Sequence, residues 1–270
     1  MSDDLRFAKH HLPSGICLYV AESGSQDGQV VLMLHGYADS WFSYSRILPL
    51  LPAGVRAVVP DQRGHGEADR PANGYTPDDF VGDAIQLLDM LGIETAIVVG
   101  HSMGSFIARK IAVKAPERLE RLVLIGSAAT ARNEATRQLL EEVETLADPV
   151  EADFVRAFQS STIHRLVPAD FFEQVVTESL KVPARVWKAA LTGLVAADPT
   201  ADFARIRCPV LILGGDHDGV FARAEQEHLA TCIPGATLKI SPDVGHDPQW
   251  EAPDDVVSDL LAFFRSSKTR

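Results

Sequence analysis

The chain has three cysteines, Cys17, Cys208 and Cys232, odd in number and far apart, so neither a disulfide framework nor a Cys-x-x-Cys zinc site is expected. Positive charge is also scarce: 25 Lys and Arg face 37 Asp and Glu, a formal net charge of -12. That balance argues against nucleic acid or an anionic membrane surface as the main partner. No apolar run approaches the roughly 20 residues that span a bilayer. The opening MSDDLRFAKHHLPSG lacks the positive-then-apolar layout of a secretory leader, so a cytoplasmic location is the expectation. Internal repeats, low-complexity segments, metal-ligand spacings and phosphate-cradling glycine loops are absent as well, and no metal or cofactor is expected.

What remains is an ordinary globular composition, 46% apolar over 270 residues, enough for one large domain or a domain carrying an insertion. Apolar runs alternate with amphipathic stretches, the mark of a mostly parallel sheet covered by helices. An antiparallel edge hairpin is expected from 7–11 and 16–21, turning through Pro13, Ser14 and Gly15. Buried strands follow in VVLMLHG (30–36), VRAVVPD (55–61), TAIVVGH (95–101), RLVLIGS (121–127), PVLILGGD (209–216) and ATLKISPDVG (236–245). Helices are expected at 77–91, opened by Thr76 with Asp79 and closed by Gly92, and at 103–114 and 253–265.

The stretch 128–202 breaks the alternation, with helical periodicity at 139–146 and 170–180 and no buried strand. The expected architecture is α/β: a mostly parallel eight-stranded sheet with helices on both faces, its core formed by 1–127 and 203–270. A helical cap inserted at 128–202 would roof the C-terminal edge of the sheet, where ligands bind in open α/β folds.

At one strand end stands VVGHSMGSF (98–106), a Gly-x-Ser-x-Gly pattern centred on Ser102. A serine hydroxyl needs a base to take its proton and an acid to orient that base. Of nine histidines, His246 alone follows a strand and precedes a helix, and Asp216 and Asp218 end the strand before it. The N–H of Met103, opening the helix after the serine, is placed to face a developing oxyanion.

With these residues the chain resembles the α/β-hydrolases, in which serine, acid and histidine occur in this order at strand ends. The resemblance runs from about residue 15 to 265 through LHGYADSW, PDQRGHGEADRP, GHSMGS, GGDHDGV and VGHDPQWEAPDDV. It implies Ser102 as nucleophile, His246 as base, Asp218 in preference to Asp216 as the acid, and Tyr37 N–H as the second oxyanion donor beside Met103. His35, His65 and His101 are expected to hold loops together, and Asp243 and Asp247 to point away from His246. Trp41, Phe42, Trp187 and Trp250 either line an apolar substrate pocket or pack the cap, and His164 is a cap residue able to face substrate.

The implied reaction is acyl transfer: a serine hydrolase of a small-molecule ester or lactone, working through an acyl-enzyme. Relatives with a nucleophilic aspartate, the epoxide hydrolases and haloalkane dehalogenases, are disfavoured by serine at position 102. Hydrolases that cleave carbon–carbon bonds of ring-fission products are an alternative, since GHDPQWE is similar to theirs. His101 and Ser105, however, stand where those more often carry Asn and Gly. A ligand-binding receptor of the same fold, with little turnover, is the alternative from another class.

Overall fold

In the central strands, successive side chains point to opposite faces, and here they enter two separate cores. Strand β3 (Gln29–Leu34) sends Leu32 and Leu34 to one side and Val31 and Met33 to the other. Strand β5 (Ala96–His101) divides Val98 from Ile97 and Val99, and β6 (Leu119–Ile125) divides Leu122 and Leu124 from Val123 and Ile125. This is why the strands read as unbroken apolar runs. The computed structural model describes residues 5–197 and 200–266, with only the backbone for 200–202. The ends of the expected core segments, 1–4 and 267–270, and positions 198 and 199 of the expected cap lie outside the described residues.

Among the described residues, eight strands form one sheet in the order β1-β2-β4-β3-β5-β6-β7-β8. Here β1 is Arg6–His11, β2 Cys17–Ser23, β4 Val55–Asp61, β7 Val210–Gly215 and β8 Thr237–Ser241. The pairs β1·β2 and β2·β4 are antiparallel and the other five parallel, so the C-terminal ends of β3, β5, β6, β7 and β8 share one edge.

Helices cover both faces. On one side α1 (Pro77–Met90) buries Phe80, Val81 and Leu87, and α2 (Met103–Lys114) buries Phe106, Ile107 and Ile111, in the same cluster as Leu32 and Val98. The other side is closed by Val256, Val257, Leu260 and Phe264, a stripe at helical spacing on the last helix, Pro253–Arg265. Thr76 and Asp79 form a reciprocal capping box at the start of α1.

Between β6 and β7 the chain forms α3 (Glu134–Glu144), α4 (Ala152–Thr162), α5 (Ala169–Ser179) and α6 (Ala184–Ala196). Val143, Val155, Trp187 and Leu191 of these helices join the cluster that holds α1 and α2. After β7 come α7 (Arg223–Cys232), then β8, the short α8 (Pro248–Glu251) and α9 (Pro253–Arg265). No helix among the described residues is long and apolar enough to cross a membrane.

Strands β3, β6, β7 and β8 end before the apolar runs do, and for β8 and β6 the backbone shows why. β8 stops at Ser241 rather than 245, because Pro242 has no N–H to donate and Asp243 turns the chain at φ 54. β6 stops at Ile125, where Gly126 turns at φ 52. Both early stops release loops at the shared edge.

Candidate active site

Ser102 joins β5 to α2 at φ 48 and ψ -118, a conformation that L-residues rarely hold and that costs on the order of 1–3 kcal/mol. The neighbours hold it there. Its N–H donates to Ile125 O (2.9 Å) and its carbonyl accepts the Ser105 hydroxyl (2.6 Å). A Cβ on Gly100 would strike the carbonyl of Gly104, and one on Gly104 would strike the carbonyls of Leu34 and His35. Only glycines let α2 leave this close to β5 and to the loop after β3.

His246 Nε2 lies 2.8 Å from Ser102 Oγ, and its Nδ1 lies 2.9 Å from Asp218 Oδ2. A carboxylate can only accept, so Nδ1 carries a proton, and in the neutral ring Nε2 is free to take that of the serine. Asp218 is oriented by the N–H groups of Val220 and Phe221, both 2.8 Å from Oδ1, while the Asp216 N–H donates to Ser241 O (3.1 Å). The His246 N–H donates to Thr162 O at the end of α4 (2.7 Å). Burial opposes a charged His246, but the carboxylates of Asp218, Asp247 and Asp39 outweigh it and raise its pKa to about 9. Chemically, such a chain moves a proton off Oγ as the oxygen attacks an electrophile.

Met103 is the first residue of α2, and Tyr37 follows Gly36 in the loop after β3. The close approach of Gly104 to the carbonyls of Leu34 and His35 sets the start of α2 against the end of β3 and the loop that follows it. His35 is a neutral loop brace: Nε2 accepts the Gln62 N–H (3.0 Å) and Nδ1–H donates to Gly36 O (2.8 Å). Burial holds its pKa well below the usual histidine value. His65 is braced similarly, on Arg63 O.

Ser102 and His246 open into a cavity of about 420 Å³ roofed by residues of α3, α4 and α6, among them Leu139, Phe154, Phe158 and Leu191. The tryptophans and Phe42 do not line it. Trp187 is fully buried behind it, edge-on to Tyr37, Phe154 and Phe158. Trp250 is 1% exposed, packs on Phe171 and donates Nε1–H to Ser43 O. Phe42 stacks on Phe171, and Trp41 packs against Phe7 near the sheet edge. Trp187, Phe42 and Trp250 thus sit between helices α4 to α6 and the rest of the chain, whereas Trp41 packs on β1. His164 is exposed and stacks on His217, away from the cavity.

Three residues that the sequence did not single out for this site stand in the cavity wall. Asp247, expected to point away, faces the cavity with Asp39 and His101. All three are at most 4% exposed. His101 Nε2 sits 3.2 Å from Asp247 Oδ1 and 3.1 Å from His246 O, and Asp39 accepts from Gln159 (3.1 Å) and Ser43 (3.3 Å). Burial raises the pKa of Asp39 to about 7 and that of Asp247 well above the usual carboxylate range, while burial and His246 push His101 well down. Ligating atoms of this trio lie within 4.8 Å of one another. Sequence spacing hides the arrangement because its members come from the loop after β3, the last residue of β5 and the loop before α8.

Residues 29–253 match the family described as alpha/beta hydrolase fold. The chain is 40% identical over 125 residues to Epoxide hydrolase 3 of Siraitia grosvenorii, a match covering 45% of this chain and 39% of that one. It spans about two fifths of the length of the first curated relatives that it matches. It is 27% identical over 265 residues to the Putative 2-succinyl-6-hydroxy-2,4-cyclohexadiene-1-carboxylate synthase of Bacillus subtilis, 92% of this chain and 95% of that one. Among solved structures, an esterase from Exiguobacterium antarcticum is similar with a TM-score of 0.86 at 22% identity, covering 97% of this chain and all of that one, a likeness of fold.

Proposed function

The chain belongs to the α/β-hydrolase family, and from that membership we propose that it is a serine hydrolase of small carboxylic esters or lactones. The observation that carries this reading is the unbroken hydrogen-bond chain from Asp218 through His246 to Ser102 at the wall of the 420 Å³ cavity. Ser102 attacks the carbonyl, the N–H groups of Met103 and Tyr37 receive the oxyanion, and His246 returns its proton to the leaving alcohol. Water then releases the acid by the same route. The relatives are named after different reactions. A hydroxyl rather than a carboxylate at position 102 supports the acyl-enzyme reading over an alkyl-enzyme one.

The apolar side chains of α3, α4 and α6 form the roof in this reading, and 128–202 acts as a cap whose composition selects the acyl or alcohol group. The test is hydrolysis of p-nitrophenyl esters of graded chain length and of a lactone panel, with fluorophosphonate labelling in parallel. One label per chain, located on Ser102, and turnover of at least one acyl substrate are expected. Saturable ligand binding with no labelling and no turnover would overturn the proposal.

Acylation requires neutral His246, so kcat/KM is expected to rise with pH through a value near 9, where that imidazole loses its proton. Asp39 is ionised above about pH 7 and favours the imidazolium. Asp39→Asn removes that charge and is expected to move the acid limb of the profile to lower pH. A limb that stays put, or moves up, would show that Asp39 does not act on His246.

A further inference from the structure

Away from the cavity, three exposed side chains converge from three loops: His164 between α4 and α5, His217 between β7 and α7, and Asp243 after β8. Their ligating atoms lie within 4.8 Å of one another. The two imidazoles stack with centroids 3.9 Å apart and planes 4° from parallel, and Asp243 Oδ1 lies 3.9 Å from His217 Nε2. We propose that His164, His217 and Asp243 form a surface binding site for a divalent transition-metal cation of the zinc class.

The donor set suits such an ion. Two neutral imidazoles and one carboxylate are a three-ligand set that leaves further positions open to water, and imidazole favours zinc-like metals over magnesium or calcium. Ligation of one ion by both rings requires one of them to turn out of the stack, and both rings are exposed.

The backbone beneath the three residues is already tied together. His217 N–H donates to Val244 O (2.9 Å). The Glu251 carboxylate accepts from His164 N–H (2.9 Å), Arg165 N–H (2.6 Å) and Gly245 N–H (2.9 and 3.0 Å), and the Arg165 guanidinium donates to Pro242 O (2.8 Å). Binding an ion therefore freezes few side-chain torsions and no loop. Asp243 keeps a left-handed backbone (φ 54) at a turn where glycine or asparagine rests more easily, and its carboxylate is turned to His217.

The ion would staple the α4–α5 loop to the loops that carry Asp218, next to His217, and His246, three residues after Asp243. The test is titration of the full chain with Zn²⁺ alone by calorimetry at about pH 7.5 and again at about pH 5.5, with thermal denaturation in parallel. One-site binding is expected at the higher pH and weaker binding at the lower, because protons compete with a metal ion for its ligand atoms. His164→Ala, His217→Ala and Asp243→Asn should each weaken binding roughly tenfold or more. Zn²⁺ should raise the denaturation midpoint of the wild-type chain and not that of His217→Ala. Cys232→Ser is the control, because the Cys232 thiol lies 3.7 Å from His228 Nε2 and offers a competing pair. No saturable binding, binding that survives His217→Ala and Asp243→Asn, or binding lost only in Cys232→Ser would overturn the site.

Discussion

Ser102→Ala is expected to lower kcat/KM on every ester the wild-type chain turns over by roughly four orders of magnitude or more. The size of the effect follows from what is removed. Without Oγ there is no acyl-enzyme, and His246 Nε2, 2.8 Å from that oxygen, has no proton to take. The oxyanion donors proposed above are main-chain groups, so they would survive the change and leave a small residual rate. The fold should survive too, since the Ser102 backbone bonds to Ile125 and Ser105 do not involve its side chain. Thermal denaturation run beside the assay separates the outcomes. Wild-type turnover in a folded Ser102→Ala chain would remove Ser102 from the chemistry.

Trp187→Ala is expected to cost about 3–5 kcal/mol of stability and to lower the denaturation midpoint by roughly 10 °C. Trp187 is fully buried, with ring centroids of Tyr37, Phe154 and Phe158 at 5.1, 5.4 and 5.2 Å. Its Nε1–H is satisfied by Val182 O (3.1 Å), and its own carbonyl accepts the Tyr37 hydroxyl (2.6 Å). Truncation opens a void that these aromatic edges cannot collapse to fill. A residue that only touched substrate would raise KM and leave the midpoint alone. Scanning calorimetry with steady-state kinetics distinguishes the two, and an unmoved midpoint would contradict the packing role.

The sheet was legible in sequence because its strands are buried on both faces and so appear as continuous β-branched runs. The helical region was only half legible. α3 and α5 carry strong periodicity, but α6 (Ala184–Ala196) is rich in alanine and short of polar contrast, and α4 begins on Ala152 with no capping side chain to announce it. Ser102 and His246 could be picked out because each sits at the junction of a strand and a helix. The preference between Asp216 and Asp218 came from resemblance. Spacing alone did not separate two carboxylates one residue apart, whereas in the structure the N–H groups of Val220 and Phe221 hold Asp218 toward His246.

The roles of the aromatic residues and of Asp247 were not legible. Whether Trp250 faces a cavity or a core depends on Ser43 and Phe171, far away in the chain, and whether Asp247 turns inward depends on His101. Nothing in the local pattern encodes such long-range partners.

The sheet ends on one side in β1 and on the other in β8. Both edges are more exposed than the interior strands, with Arg6 and Lys9 on the first and Lys239 near the middle of the second. An open edge invites another copy to add its own strand, and a cation there makes that pairing costly by placing like charges face to face. Lys239 is held on its edge by an ion pair with Asp259 of α9. The two ends of the sheet are thereby guarded against strand-to-strand growth into aggregates, and neutralising Lys9 and Lys239 together would expose that hazard without touching the cavity.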